Sequence, residues 1–209
     1  MIKTRIQPAL FTPKSPADFI GNAGEVAHLL DRKATGLREA RSGVAKIILY
    51  GPPGTGKTKL AEMFANLIAG HQTCVESING RNVNIEVVRQ WQQESHYLPL
   101  YGLFNVKIVN ELDTCPPASQ DPLLTYLDEM PDCTAFIGTS NMDLRSLSER
   151  FQTRLKQIPV KAPDTETIMG FLRKWKLADR VIKQTAVGCG GNVRAALMDV
   201  QSILDAQLV

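Results

Sequence analysis

The sequence contains no run of apolar residues near the roughly 20 needed to span a bilayer. Its opening stretch, MIKTRIQPALFTPKSP, lacks the continuous apolar core of a secretory signal. The expectation is a cytoplasmic or nucleoid-associated protein with no membrane partner. Cysteine is scarce, and Cys74, Cys115, Cys133 and Cys189 show neither CxxC nor Cys/His spacing. A zinc site and a disulfide framework are both poorly supported, and reduced, half-buried thiols are expected. His28, His71 and His96 are just as dispersed, which favours structural or exposed roles over catalytic ones. Aromatic residues make up 6% of the chain, with no basic–aromatic alternation of the kind that builds a single-strand platform. A net charge of +3 is too small to argue for nucleic acid by itself.

What is present is an ordinary globular composition, 44% hydrophobic and 22% charged over 209 residues. That length suffices for one good core, or for a larger domain with a smaller one attached. Positive charge gathers late: residues 150–183 hold nine Lys or Arg against three acids. Such a stretch is either a solvated helical face or a phosphate-facing surface, and the sequence leaves both open.

Residues 1–20, with prolines at 8, 13 and 16, read as an irregular arm over the fold. The spacing then predicts a helix over 24–40, a buried strand over 45–50, a helix over 57–70 closed by Gly70, and a strand over 74–78. A helix over 84–95 follows, then a strand over 106–110, a helix over 118–130, a strand over 134–138 and a short strand at 157–160. This alternation points to an α/β protein with a mostly parallel central sheet flanked by helices. After Pro163 the strand signals stop and three helices are expected, with Asp164 and Asn192 as N-caps. Two domains are expected, an α/β body over 1–162 and a small all-helical lid over 163–209.

The sharpest signal is GPPGTGKT at residues 51–58, a full G-x-x-x-x-G-K-[ST] match lying between a predicted strand and a predicted helix. Gly51, Gly54 and Gly56 let backbone N–H groups curl around phosphate without Cβ clashes, and the helix N-terminus adds partial positive charge. Pro52, Pro53 and Thr55 complete the loop. Lys57 would reach the β- and γ-phosphates, and the Thr58 hydroxyl would bind Mg2+. The chain is expected to bind a nucleoside triphosphate, and the loop alone does not say for what chemistry.

More distant residues narrow the choice through a resemblance. GPPGTGKT resembles the phosphate loop of AAA+ ATPases, and SPADFIGNAGEVAHL (15–29) is similar to the segment that lines the adenine pocket in that superfamily. VKIVNELDTCPPASQDPLL (106–124) resembles the Walker B strand and following helix of clamp-loader subunits of the replication factor C and DNA polymerase III gamma type. FIGTSN (136–141), LSERFQTRLKQIPV (147–160) and GGNVRAALMDVQ (190–201) resemble the sensor-1 strand, the arginine-finger segment and the sensor-2 helix, in the family's order.

The resemblance implies ATP and Mg2+ as cofactors and a P-loop NTPase fold. It implies an ATP-binding set of Ile20, Gly21, Gly51, Pro52, Pro53, Gly54, Thr55, Gly56, Lys57, Thr58 and Leu60. It implies Glu111 as the base that polarises the attacking water and Asn141 as sensor 1. Arg154, with Arg150 as runner-up, would act in trans on a neighbouring subunit's nucleotide, and Arg194 would be sensor 2. Thr58 and Asn110 would stand on the metal side. There the family carries an aspartate, so Asn110 removes a negative charge; an amide oxygen can still accept a metal-bound water. Clamp-loader subunits also carry a helical collar after the lid, and this sequence ends at Val209, which puts stable self-assembly in question.

These residues support a slowly hydrolysing ATP-driven switch in a homo- or hetero-oligomer, acting with DNA and a replication or repair protein. A hydrolysis-impaired subunit that donates Arg154 to an active partner is the alternative. A small-molecule phosphotransferase would leave Asn141, Arg154 and Arg194 without a joint purpose.

Overall fold

The structure, a computed structural model, describes residues 11–141 and 148–206. Its centre is five strands: β1 (Val44–Tyr50), β2 (Val75–Asn79), β3 (Asn105–Asn110), β4 (Thr134–Ser140) and β5 (Lys156–Pro159). All pairings between them are parallel, in the spatial order β2-β3-β4-β1-β5. Parallel pairing demands crossovers, and here helices supply most of them: α2 (Lys57–Ala69) between β1 and β2, α3 (Ile85–Ser95) between β2 and β3, and α4 (Pro117–Glu129) between β3 and β4. Helix α1 (Asn22–Ala40) precedes the first strand, and the short α5 (Glu149–Gln152) precedes the last.

The strands read as continuous apolar runs because both sheet faces are covered. Side-chain direction alternates along a strand, so Ile47 and Leu49 join the core with Ala27, Leu30 and Phe64 of α1 and α2. Ile48, between them, points the other way, into the core built with Trp91, Leu123 and Leu127 of α3 and α4. One charged side chain is buried within the sheet. Lys107 of β3, its side chain 7% exposed, is matched by Glu76 and Glu94 at 2.7 and 2.6 Å. Trp91 Nε1 donates to the same Glu76 carboxylate, so the buried cation is paired on both sides.

After β5 come α6 (Thr165–Leu172), α7 (Asp179–Gly188) and α8 (Val193–Ala206). They bury Ile168, Leu172, Ile182, Ala196 and Val200 against one another in a cluster of their own. Asp164 caps α6 by accepting the Thr167 N–H at 2.7 Å, and Asn192 caps α8 by accepting the Ala195 N–H at 3.0 Å. The arm meets these helices through Phe11, whose ring stands edge-on to Phe171 at 5.3 Å and to Trp175 at 6.0 Å.

The expected elements are all found, most of them within one or two residues of their expected ends. The sheet is wholly parallel among the described residues, and β4 runs two residues beyond its expected end, to Ser140. Its partner Tyr50 in β1 keeps the ladder paired that far. Within the arm, Pro16–Asp18 form one 3-10 turn, and residues 1–10 lie outside the described part.

Candidate active site

In a parallel sheet every strand delivers its C-terminal end to the same edge. Here that edge carries the phosphate loop after β1, Asn79 at the end of β2, Asn110 and Glu111 at the end of β3, and Asn141 just past β4. A cavity of about 580 Å³ opens over it, within the usual range for ligand sites. Pro53 to Lys59 form its floor, Asn79, Asn110, Glu111, Thr139 and Asn141 one wall, and Val193, Arg194, Leu197 and Met198 of α8 its roof. The far end is apolar, lined by Phe11, Phe19, Ile20 and Phe171.

The loop's shape follows from its glycines. Gly51, Gly54 and Gly56 have φ of 144°, 75° and 96°, a region that strains any residue with a Cβ. Gly51 also backs onto the Val160 carbonyl, and Gly54 onto the Asn192 side chain, so a Cβ at either position would collide. Lys57, 5% exposed, donates from Nζ to the carbonyls of Gly51 at 2.9 Å and Pro52 at 2.6 Å. Burial pushes its pKa down to about 8; Arg194 acts in the same direction, and Asp113 opposes them.

At the end of β3 the polar groups are committed. Asn110 donates from Nδ2 to Ser77 Oγ at 3.1 Å, and its Oδ1 accepts from Thr139 Oγ1 at 3.3 Å. Thr139 in turn accepts the Glu111 N–H at 3.2 Å. Glu111 sits in the left-handed region at φ 55°, uncommon outside glycine and often found at functional sites. Its Oε2 accepts from Asn79 Nδ2 at 3.1 Å. The next residues form a tight turn in which the Glu111 carbonyl accepts from both the N–H and the hydroxyl of Thr114. Gly80 leans on that carbonyl so closely that a Cβ there would strike it.

Of the expected site residues, Ile20, Pro53, Gly54, Thr55, Gly56, Lys57, Thr58, Asn110, Glu111, Asn141 and Arg194 come together around the one cavity. Gly51 and Pro52 bound it from behind through their carbonyl bonds to Lys57. Gly21, at φ 55°, turns the chain against Pro163 instead. Leu60 is fully buried in the core under α2, so its side chain is a prop for the loop rather than a cavity wall. Arg154 stands apart. Nε and Nη2 grip Asp128 of α4 as a fork, both at 2.8 Å, and Nη1 donates to the Arg150 carbonyl at 2.9 Å. Asp128 raises its pKa further. Arg150 pairs with Asp121 on the same helix and keeps a 62%-exposed side chain.

Sequence reasoning missed Asn79, Thr139, Phe11 and Phe171. Asn79 ends β2 and Thr139 stands one residue before the end of β4, each beside a strand the sequence does not name, and the only available signal was a polar residue closing an apolar run. A divalent cation fits what remains. Among the described residues no three His, Cys, Asp or Glu side chains gather into a cage. Mg2+ does not need one, because it keeps several waters and takes one or two protein oxygens beside substrate phosphates. Thr58, Asn110 and Glu111, which line the cavity, carry oxygens of that kind. Asp113, in the turn that follows β3, does not line the cavity, and its Oδ1 is buried without a hydrogen-bond partner.

Comparison with protein families matches residues 47–161 to the ATPase family associated with various cellular activities (AAA). The chain is 27% identical over 199 residues to replication-associated recombination protein A of Bacillus subtilis, covering 88% of this chain and 44% of that protein. It is 27% identical over 162 residues to the Escherichia coli protein of the same name, covering 77% and 34%. The chain thus spans less than half the length of these relatives. Among solved structures, the Thermotoga maritima RuvB Holliday junction branch migration motor superposes with a TM-score of 0.68 at 19% identity, covering 89% of this chain and 62% of that one. A variant of the same protein reaches 0.74 at 17% identity, covering 90% and 63%. These likenesses show the P-loop NTPase fold.

Proposed function

Since the chain belongs to the AAA family of ATPases, we propose that it binds ATP with Mg2+ under its last three helices, hydrolyses it slowly, and uses the nucleotide state as a conformational switch in DNA replication or recombination. The observation that carries this reading is the convergence of the phosphate loop, the end of β3, Asn141 and Arg194 on one cavity with an apolar end for a base.

In this reading the base lies against Phe11, Phe19 and Ile20, and Lys57 exchanges its loop carbonyls for phosphate oxygens. Glu111 takes a proton from the attacking water while Asn141 orients it. The bond that breaks joins the γ-phosphorus to the bridging oxygen, and Lys57 and Arg194 stabilise the charge that develops. Thr58 and Asn110 would hold a divalent cation, which would supply further neutralisation of the phosphates. Arg154 acts on the nucleotide of an adjoining subunit after release from Asp128. Because Arg194 sits on α8, nucleotide state reaches the helical lid, 163–209, directly.

DNA as a partner rests on the recombination-associated relatives and on the basic residues after Arg150; a clamp-loader-like branch rests on the sequence resemblance alone. The decisive experiment is ATP turnover against protein concentration, with and without primed DNA, for the natural chain, Asn110→Asp and Glu111→Gln. Turnover that rises faster than linearly and is abolished by Glu111→Gln supports an assembling ATPase. The second reading, a subunit that binds ATP but leaves hydrolysis to a partner, is favoured by the engagement of both Asn110 polar atoms and of Glu111. It expects binding with negligible turnover, and recovery in Asn110→Asp.

A further inference from the structure

The nine cations between residues 150 and 183 part company once the chain is folded. Arg150 and Arg154 are engaged by Asp121 and Asp128 of α4. Lys156 and Lys161 lie on β5 and just beyond it. The other five, Arg173, Lys174, Lys176, Arg180 and Lys183, fall within eleven residues that join the end of α6 to the first turns of α7, with Asp179 the only acid among them. All five are exposed. Exposed cations elsewhere find acids, Lys59 with Glu62 and Arg89 with Glu86, but among the described residues none of these five forms an ion pair.

The backbone sets their charges side by side. The Lys176 N–H donates to the Arg173 carbonyl at 3.0 Å, closing a 3-10 turn in which side chains three apart stand over one another. Lys176 does so at φ 55°, a conformation that favours glycine at a helix end. In α7, Ile182 and Ala186 are buried, while Arg180 and Lys183, one turn apart, share a solvent face. Lys174 lies over the rings of Phe171 and Phe11, at 4.8 and 5.4 Å, and both rings line the cavity of the candidate active site.

Five like charges gathered on one turn repel one another, and a polyanion relieves that repulsion. Between residues 173 and 183 no large apolar side chain is exposed, so the surface lacks what seats a helix in a lipid interface. Trp175, the one aromatic residue in the stretch, is buried, which leaves no platform for stacking an unpaired base. We propose that Arg173, Lys174, Lys176, Arg180 and Lys183 form the surface on which this protein holds nucleic acid, through the phosphate backbone of a duplex and without reading base identity. This rests on the DNA-associated reading above and narrows it, because Arg150 and Arg154 take no part in the contact. The same helical cluster supplies α8, so duplex and nucleotide are held by neighbouring parts of one packed unit.

The test is fluorescence anisotropy of a labelled duplex with the full chain, at low and at raised salt, with binding of a fluorescent ATP analogue as the check on folding. Arg180→Gln/Lys183→Gln is expected to weaken duplex binding by about tenfold or more and to reduce the salt slope by about two, with analogue affinity unchanged. Arg173→Gln/Lys176→Gln, on the preceding turn, is expected to do the same, so the outcome does not depend on α7 alone. Arg32→Gln/Arg38→Gln removes equal charge from exposed positions of α1 and should change duplex binding by no more than about twofold. Variants at 173–183 that bind duplex as the α1 control does, or a larger loss in Arg150→Gln/Arg154→Gln, would overturn the placement and leave a DNA partner standing. Binding to vesicles of anionic phospholipid with none to duplex would overturn the choice of partner. No duplex binding by the natural chain at low salt, with the analogue still bound, would instead overturn the DNA reading itself.

Discussion

Asn79, the last residue of β2, donates its side-chain N–H to Oε2 of Glu111, 3.1 Å away and 32 residues further along the chain. That bond tethers one oxygen of the carboxylate to the end of β2 and restrains its approach to a water in the cavity that Glu111 also lines. Asn79→Ala should therefore raise basal ATP turnover severalfold without changing ATP affinity, since a bond to a charged group is worth roughly 1.5–3 kcal/mol. Steady-state turnover and a binding titration check this; a fall in turnover would mean that Asn79 holds Glu111 in its working position.

Gly54 and Asn192 couple the loop to the start of α8. A Cβ at Gly54 would overlap the Asn192 side chain, and the Arg194 N–H donates to the Gly54 carbonyl at 3.4 Å. Gly54→Ala should push α8 away and weaken ATP binding by about tenfold, with the positive φ adding roughly 1 kcal/mol of backbone strain. Asn192→Ala should cost ~1 kcal/mol of stability as a lost helix cap, read from denaturant midpoints.

Arg154 is held by Asp128 within its own chain, which separates its two possible roles. If it serves a neighbour's nucleotide, Arg154→Ala should remove the concentration-dependent part of turnover, by about 10³-fold in finger-type chemistry, while ATP binding stays intact. Asp128→Ala should leave ATP binding unchanged and shift the concentration dependence, because it frees the guanidinium. Retained turnover in Arg154→Ala and loss in Arg150→Ala would move the role to Arg150.

Lys57 has a pKa lowered to about 8, first by burial and then by Arg194. Near pH 8 roughly half of these lysines are neutral, and a triphosphate favours the charged form, so ATP binding should take up protons there. The uptake should fade below about pH 7, where the lysine is already charged. Calorimetric titrations in buffers of different ionisation heat read the proton count directly; equal heats across buffers at pH 8 would contradict the shift.

Cys115 is buried and its thiol is pushed up to about 11 by that burial. Since the thiolate is the reactive form, alkylation of Cys115 at pH 8 should run at least about tenfold slower than that of the half-exposed Cys189. Mass spectrometry of peptides from a timed iodoacetamide reaction checks the order.

Much of the site was legible because its chemistry is local. GPPGTGKT encodes its own turn, since glycines at 51, 54 and 56 permit the positive φ angles that a phosphate cradle needs, and Lys57 and Thr58 follow within one helical turn. Strand β3 could be read from its apolar run, and the acids closing it from their position. Asn79 could not be found this way. Nothing in residues 74–79 says that β2 lies beside β3, and a parallel neighbour is reached only through a crossover whose path is not written in the strand.

What the sequence determined by itself is therefore the set of elements and the phosphate loop: periodicity, caps at Asp164 and Asn192, and glycine placement act over distances of four residues or fewer. What only the tertiary structure decided is the company those elements keep. The order β2-β3-β4-β1-β5 sets Asn79 opposite Asn110 and brings Thr139 across to both Asn110 and Glu111. The packing of three late helices lowers Arg194 and Asn192 onto a loop more than a hundred residues earlier. Such contacts depend on which buried surfaces find one another, a property of the whole chain's packing and of no short stretch within it.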